Sequence, residues 1–284
     1  MGKDVAVVIL NYGHKEQTIE CVQSVQKSTY KNLIIIVVDN EQNSGLFLQL
    51  QETPNVIFIQ NKSNTGYTGG NNLGIKKAIS LNVNYIFVLN PDTLIDVNAI
   101  KNLVIAANQE GVGIVGPKIL FEDKKTIWYA GGFFDKANVL GYHRGLDEVD
   151  EGKYDSIDDV DYITGAAMLI KVEVIKKVGL FDEKYFLYYE DSDYCWRVKT
   201  SGYKIIYVPK AVIYHKNAQS TGLGSPLQDY FITRNRLLFA SKFLSFRTKF
   251  ALLREAVKNL NNCNRRKALI DFLIGNLGKG SLIR

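Results

Sequence analysis

Asn84-Tyr85-Ile86-Phe87-Val88-Leu89-Asn90-Pro91-Asp92-Thr93 is the stretch from which the rest of the 284-residue chain can be placed. Tyr85 to Leu89 is short, apolar and rich in strand-forming types, the pattern of a strand buried on both faces. Asn90-Pro91 stops it, because proline has no N–H for a ladder and biases its predecessor away from helix. Asp92 then stands at the mouth of a sheet, and in open α/β sheets ligands bind beyond the carboxyl ends of the strands. A carboxylate there can hold a hard cation and, through it, a diphosphate. It can equally start a turn or cap the next helix, since Asn-Pro-Asp is ordinary turn chemistry.

Upstream, the pattern repeats. Val5 to Leu10 and Leu33 to Val38 are continuous apolar runs, closed by Asn11-Tyr12-Gly13 and by Asp39-Asn40, and Val56 to Ile59 is a third. Between them, His14 to Lys27 has helical spacing, with Ile19, Val22 and Val25 on one face, and Gly45 to Gln51 suits a short helix. Strands alternating with helices mean βαβ crossovers and a mostly parallel sheet. Asn11, Asp39 and Asp92 then share one rim. The run from Asn61 to Ile75 carries four glycines and leads into a helix through Ala78. Such an entry offers free amides to an anion, or is a plain loop with a cap. It is neither GxGxxG nor a P-loop.

Downstream, Asp96 to Asn108 reads as a helix, Lys118 to Phe121 and Ile127 to Tyr129 as strands, and the Gly- and Asp-rich 134–158 as a solvated loop. Asp161 to Ile170 is a turn into a strand, with small residues where something passes close. Val174 to Val178 is a short helix. Glu190, Asp191 and Asp193 crowd together at the start of another, where the macrodipole favours their charge. Three carboxylates in four residues repel, so a cation or basic group is expected nearby. Lys204 to Pro209 and Ala211 to His215 read as two short strands. Tyr188, Tyr189 and Trp196 can act as a stacking platform or as core. Residues 226–284 are helical and basic, a C-terminal extension to a first domain of 1–225. Their amphipathic faces suit an anionic lipid surface, the body of the domain or a second subunit in a homodimer.

Hydrophobic residues make up 46% and charged residues 23%, which excludes disorder over most of the chain. The net charge of +6 fits anionic ligands or a membrane surface, and beyond charge nothing favours nucleic acid. Cys21, Cys195 and Cys263 are odd in number and widely spaced, which reads as reduced thiols in a cytoplasmic setting. The N-terminus has no signal-peptide pattern. No apolar run approaches the roughly 20 residues that span a bilayer, so membrane contact would be peripheral, at the inner face.

Val-Val-Ile-Leu-Asn-Tyr (7–12), Val-Val-Asp-Asn (37–40), Asn-Thr-Gly-Tyr-Thr-Gly-Gly-Asn-Asn-Leu-Gly (64–74), Leu-Asn-Pro-Asp (89–92), Tyr-Glu-Asp-Ser-Asp-Tyr-Cys-Trp-Arg (189–197), His215 and Tyr-Phe-Ile-Thr-Arg-Asn (230–235) occur in this order. As an ordered set, over about residues 4–240, they resemble the family 2 glycosyltransferases of GT-A fold, most of all the bacterial rhamnosyltransferase-type members. The resemblance implies a Rossmann-like, mostly parallel sheet flanked by helices. It implies an inverting, metal-dependent hexosyltransferase using Mg²⁺ or Mn²⁺. The donor would be a dTDP- or UDP-sugar, dTDP-rhamnose first among them, and the acceptor a saccharide or lipid-linked saccharide in cell-surface polysaccharide synthesis. Asn11 and Asp39 would contact the nucleoside, and Asn64, Gly66 and the glycine-rich run would line the nucleotide-sugar pocket. Asn90-Pro91-Asp92 stands where the family has Asp-x-Asp. With Asn90 a weaker, neutral ligand, cation binding rests on Asp92, with His215 as a second contact. Asp191 would be the general base, and Arg234 would touch the diphosphate or the acceptor.

The chemistry is sound on its own terms. A sugar hydroxyl is a poor nucleophile, and a carboxylate within hydrogen-bond reach can take its proton as the new bond forms. Two other classes compete. A nucleotidyltransferase needs a Gly- and Arg-rich loop after the first strand, which Asn11-Tyr12-Gly13-His14-Lys15 does not supply. A non-catalytic nucleotide- or carbohydrate-binding protein is favoured only by Asn90.

Overall fold

The apolar runs become strands because each can be buried on both faces. The structure, a computed structural model, describes residues 2–216 and 225–283. It begins β1 (Val5–Asn11), α1 (Lys15–Gln26), β2 (Leu33–Asp39), α2 (Leu46–Leu50), β3 (Val56–Gln60), α3 (Gly66–Ser80), β4 (Tyr85–Leu89), β5 (Thr93–Ile95) and α4 (Ala99–Ala107). It continues with β6 (Val112–Phe121), β7 (Ile127–Tyr129), β8 (Gly132–Asp135), β9 (Leu140–His143), β10 (Asp158–Asp159), β11 (Ala167–Lys171), α5 (Val172–Val178), α6 (Glu190–Thr200) and β12 (Lys204–His215). Three helices close the chain: α7 (Pro226–Phe243), α8 (Phe246–Lys258) and α9 (Cys263–Ile274). The boundary read at 225/226 follows residues 217–224, which lie outside the described residues.

Among the described residues the main sheet runs β10-β12-β6-β11-β4-β1-β2-β3, with β5 on β12 and β7 on β6. The half β3-β2-β1-β4 is parallel, and its register sets Asn11 opposite Asp39 and Ile9 opposite Leu89. The polar strand ends therefore share one rim, as the alternation of elements requires. β11 then enters antiparallel, with Ala167 opposite Leu89. This delivers Gly165 and Ala166 to the same rim beside Asn90-Pro91-Asp92. β12 runs parallel to β6, and its last residue, His215, pairs with Thr93 of β5.

Three expectations are corrected. The two short strands around Pro209 are one strand, β12, whose register slips between Val208 and Val212. A proline cannot donate to the ladder, and the irregularity accommodates it. The supposed solvated loop 134–158 contains part of a hairpin, β8 with β9. It is also tied down by the buried Lys118, which pairs with Asp150 at 2.9 Å and Asp155 at 2.5 Å. The glycine-rich run is not a loop before a helix: the helix starts at Gly66 and contains the glycines. Their role is close packing on the sheet, since a Cβ on Gly74 would meet Val8 Cγ1 and lie 3.1 Å from Val38 Cγ2.

A second apolar cluster lies apart from the sheet core. It joins Tyr185, Tyr189 and Phe239 to Leu252 of α8 and Leu269 of α9, with Phe134 and Trp196 packed against it. The segment before α6 thus shares its burial with the C-terminal helices.

Gly74→Val should therefore lower stability by at least about 1 kcal/mol, because the stiff, β-branched Val8 has no rotamer that yields. The denaturation midpoint in urea would fall, and an unchanged midpoint would show that α3 does not depend on this close approach.

Candidate active site

Asp92 and His215 meet because β5 reverses the chain against the end of β12. Both are 3% exposed, and His215 Nε2 lies 3.7 Å from Asp92 Oδ1. That is too long for a hydrogen bond. Asp92 Oδ1 and His215 Nδ1 are buried without a hydrogen-bond partner. Burial holds the imidazole below its usual pKa, against the opposing pull of Asp92, so it is neutral at neutral pH and fit to be a ligand. Two ligands each about 2.1 Å from a common cation stand at most about 4.2 Å apart, so the spacing admits an ion between them. The carboxylate oxygen suits Mn²⁺ or Mg²⁺, while an imidazole is the more usual ligand of a transition metal. No cluster of three or more His, Cys, Asp or Glu able to hold a metal occurs among the described residues, so further ligands would come from phosphate and water. Asn90 stands at the turn, its N–H donating to Ala166 O at 2.9 Å and its carbonyl accepting from Thr93 Oγ1 at 2.7 Å.

Asp191 reaches the same rim through β11. Gly165 N–H donates to Asp191 Oδ2 at 3.1 Å, while Gly165 O accepts from Tyr67 Oη at 2.6 Å. The small residues at 165–167 are there for this: a Cβ on Gly165 would lie 2.7 Å from that hydroxyl. Ser192 N and Oγ donate to Asp191 Oδ1. Burial raises the Asp191 pKa and these donors oppose the rise.

The three acids meet different fates. Asp193 is fully buried and paired with Arg197 Nε at 2.7 Å and with Lys242. The cationic groups expected beside the cluster are these two side chains. Glu190 is buried with Oε2 unpartnered, and burial, reinforced by Asp191 and Asp193, raises its pKa well above the ordinary range.

The segment leading into α6 carries an unusual backbone. Phe186, Tyr188 and Tyr189 all have positive φ, at 61°, 67° and 72°. Asn235 Nδ2 donates to the carbonyls of Tyr185, Leu187 and Tyr188 at 2.8–2.9 Å, and Arg234 donates to those of Lys184 and Tyr185. Arg234 is completely buried, its guanidinium against Tyr230 and Phe231. In this structure its side chain is engaged in holding the loop in front of Asp191. Asn235, its neighbour, was missed as a functional residue, although it lies inside the 230–235 motif.

Gly66 is likewise engaged with this loop. The side of Gly66 that lacks a Cβ is filled by Phe186, and Phe186 O accepts from Tyr67 N at 2.8 Å and Thr68 N at 3.3 Å. Gly66 N donates to Asn64 Oδ1 at 2.8 Å. The amides expected to be free for an anion are thus already used. Asn64 is half-buried and also lies 3.4 Å from Asn40 Nδ2. Asn11 and Asp39 are fully buried; Asn11 Nδ2 donates to Asp39 Oδ1 at 2.8 Å, and Ser44 Oγ donates to Asp39 Oδ2.

Two aromatic residues at the rim carried no signal in the sequence. Trp128 stacks on His215, ring centroids 4.7 Å apart and 20° from parallel, and His143 meets Trp128 edge-on at 4.5 Å. His143 Nδ1 donates to Trp128 O at 3.2 Å, and burial pushes its pKa down to about 4. Of the supposed stacking platform, Tyr189 is core, its hydroxyl donating to Val139 O. Trp196 borders a cavity of about 250 Å³ that also touches Phe134, Tyr162 and Ser192.

A family model described as "Glycosyltransferase like family 2" matches residues 3–240. The chain is 27% identical over 248 residues to the low-salt glycan biosynthesis hexosyltransferase Agl10 of Haloferax volcanii, covering 85% of this chain and 77% of that one. It is 25% identical over 253 residues to the dTDP-rhamnosyl transferase RfbF of Shigella flexneri, covering 85% and 81%. Among solved structures, GalNAc-T7 with UDP, GalNAc and Mn²⁺ superposes with a TM-score of 0.67 at 18% identity, over 84% of this chain and 48% of that one. This last likeness concerns the fold, which is GT-A.

Two outcomes follow from the geometry. Stability drawn from the raised Glu190 pKa is complete below about pH 4.5, the ordinary glutamate value, and is lost as pH rises through the folded-state value. Glu190→Gln should therefore flatten the fall in melting temperature between acidic and neutral pH, and an equally steep fall would remove Glu190 as its source. Asn235→Leu leaves the carbonyls of Leu187 and Tyr188 without this donor and should cost about 1–3 kcal/mol in urea unfolding; a neutral substitution would show that the loop holds itself.

Proposed function

The chain belongs to the family 2-like glycosyltransferases, and from that premise we propose that it transfers rhamnose from dTDP-rhamnose to a hydroxyl of a saccharide or lipid-linked saccharide, with inversion, in cell-surface polysaccharide synthesis. The observation that carries the reading is a single rim on which Asp92, His215 and Asp191 converge through β5, β12 and Gly165. The rhamnosyl donor is read from the likeness to RfbF, whose name states that sugar and nucleotide.

In this reading Asp191 accepts the acceptor hydroxyl's proton as oxygen attacks the anomeric carbon. Burial raises its pKa, which makes its carboxylate a stronger base, and the donors from Gly165 and Ser192 favour the ionised form. Burial favours the neutral form of Glu190 beside it. Asp92 and His215 would hold Mg²⁺ or Mn²⁺, with Asn90 beside them. When bound, the ion supplies positive charge where the departing diphosphate gains negative charge. Asn11, Asp39 and Asn64 form the nucleoside side of the cleft, Asp39 exchanging its Ser44 hydroxyl for the base. The acceptor ring enters along Trp196 and Phe134, next to Ser192.

Asp191→Asn should leave donor binding near normal, measured as a nucleotide-sugar thermal shift with Mn²⁺, and cut transfer by about 10²–10⁴-fold. Transfer persisting at the parental rate would remove Asp191 as the base. Asp92→Ala should abolish the Mn²⁺-dependent part of the shift. If UDP-sugars, and not dTDP-rhamnose, raise the melting temperature, the donor assignment is wrong while the transfer chemistry stands.

A further inference from the structure

The C-terminal helices carry a surface that the transfer reaction does not use. On α8, Phe246, Phe250, Leu253 and Val257 follow a spacing of four, three and four, which lines them up within about 60° of one another. Leu252 and Ala256 are buried against the protein beside this stripe, and Leu253 packs at its edge. Phe246 is 80% exposed and Phe250 58%. On α9, Leu273 and Ile274 are 62% and 70% exposed, and a groove of about 340 Å³ joins Leu273 to the Phe246–Phe250 stripe. Exposed aromatic and aliphatic residues scattered singly need no explanation, whereas a contiguous patch does.

The charges around the patch identify its occupant. Lys249 borders the stripe on one side, and Arg247, Arg254 and Lys258 border it on the other. Between 246 and 283 eight Lys and Arg face two Asp and Glu, an excess as large as the formal net charge of +6 of the entire chain. Both acids are already engaged, Glu255 by Arg236 and Asp271 by Tyr230 and Ser281. A second copy of this chain is a poor occupant, because both rims of the stripe are cationic and a two-fold dimer through the patch would set one cationic rim against another. Nor can the helices insert across a bilayer, since no helix among the described residues is long and apolar enough.

We propose that α8 and α9 dock this chain in the plane of an anionic lipid surface, with Phe246, Phe250, Leu273 and Ile274 entering the acyl boundary and the flanking Arg and Lys meeting lipid phosphates. α9 packs on α7, and α7 holds the loop before Asp191 through Arg234 and Asn235. The docking face and the site are thus parts of one packed unit.

Flotation with vesicles tests this without requiring any activity. The purified chain should float with vesicles in which about a third of the lipid is phosphatidylglycerol, but not with pure phosphatidylcholine, and high salt should release it. Phe246→Ser combined with Phe250→Ser should abolish flotation while the melting temperature and the donor-induced thermal shift stay unchanged. Failure to float with anionic vesicles would overturn the proposal, and so would flotation that survives the double substitution. A dimer in sedimentation velocity that the same double substitution dissolves would assign the face to a second copy instead. A loss of donor binding, by contrast, bears on the transfer reading alone.

Discussion

The site depends on how the turn before α6 is held. Three consecutive-but-one residues without a glycine among them, Phe186, Tyr188 and Tyr189, adopt left-handed backbone. Each such residue costs of order 1–3 kcal/mol, so the conformation persists only where the surroundings over-determine it. Here the surroundings are explicit. The carboxamide of Asn235 takes three carbonyls, Arg234 takes two, and the carbonyl of Phe186 caps the first amides of α3. If the turn relaxed, Asp191 would leave Gly165 and α3 would lose its N-terminal closure together. The position of Asp191 and the start of α3 are therefore set by one constraint.

The same constraint sorts the carboxylates. Asp193 faces Arg197 and Lys242 and is neutralised structurally. Glu190 is buried, which favours its neutral form. Asp191 meets the backbone N–H groups of Gly165 and Ser192 and keeps a partly exposed edge, the environment the proposed base requires. A cluster that looks like three equivalent charges is thus divided by its surroundings into three different environments. This is the general way in which neighbouring acids acquire different roles.

What could be read in the sequence follows from what leaves a pattern there. Strands buried on both faces are continuous apolar runs, so β1, β2 and β4 and the polar rim they end on were legible. The rim also carried Asp92, because a proline stop marks a strand end. The glycines of 66–74 misled because glycine signals a ligand's approach and a helix's approach alike. Only the packing of Gly74 on Val8 separates the two. The burial of Arg234 left no signal because an arginine is seldom fully buried, and it depends on an aromatic cage drawn from its own helix. The hairpin of 132–143 was hidden by Gly and Asp, and Trp128 and His143 by belonging to very short strands. None of these has a period to detect. The ordered motifs nevertheless held the family likeness, because they mark strand ends and helix starts that the fold fixes in space.

The mixed sheet is what makes the two halves of the chemistry neighbours. A wholly parallel sheet would send each crossover away from the rim and bring the chain back at the opposite end of the strands. β11 runs antiparallel, so its entry turn, Thr164-Gly165-Ala166, lies on the same rim as the exit turn of β4. Ala166 holds Asn90, and Gly165 holds Asp191. Only two peptide units separate the carbonyl that holds Asn90 from the N–H that holds Asp191. Any side chain at Gly165 would strike the hydroxyl of Tyr67 and push the turn outward. The requirement for glycine there thus comes from neither ligand nor flexibility. It comes from packing a helix, a strand end and a catalytic loop into a span that no Cβ can share.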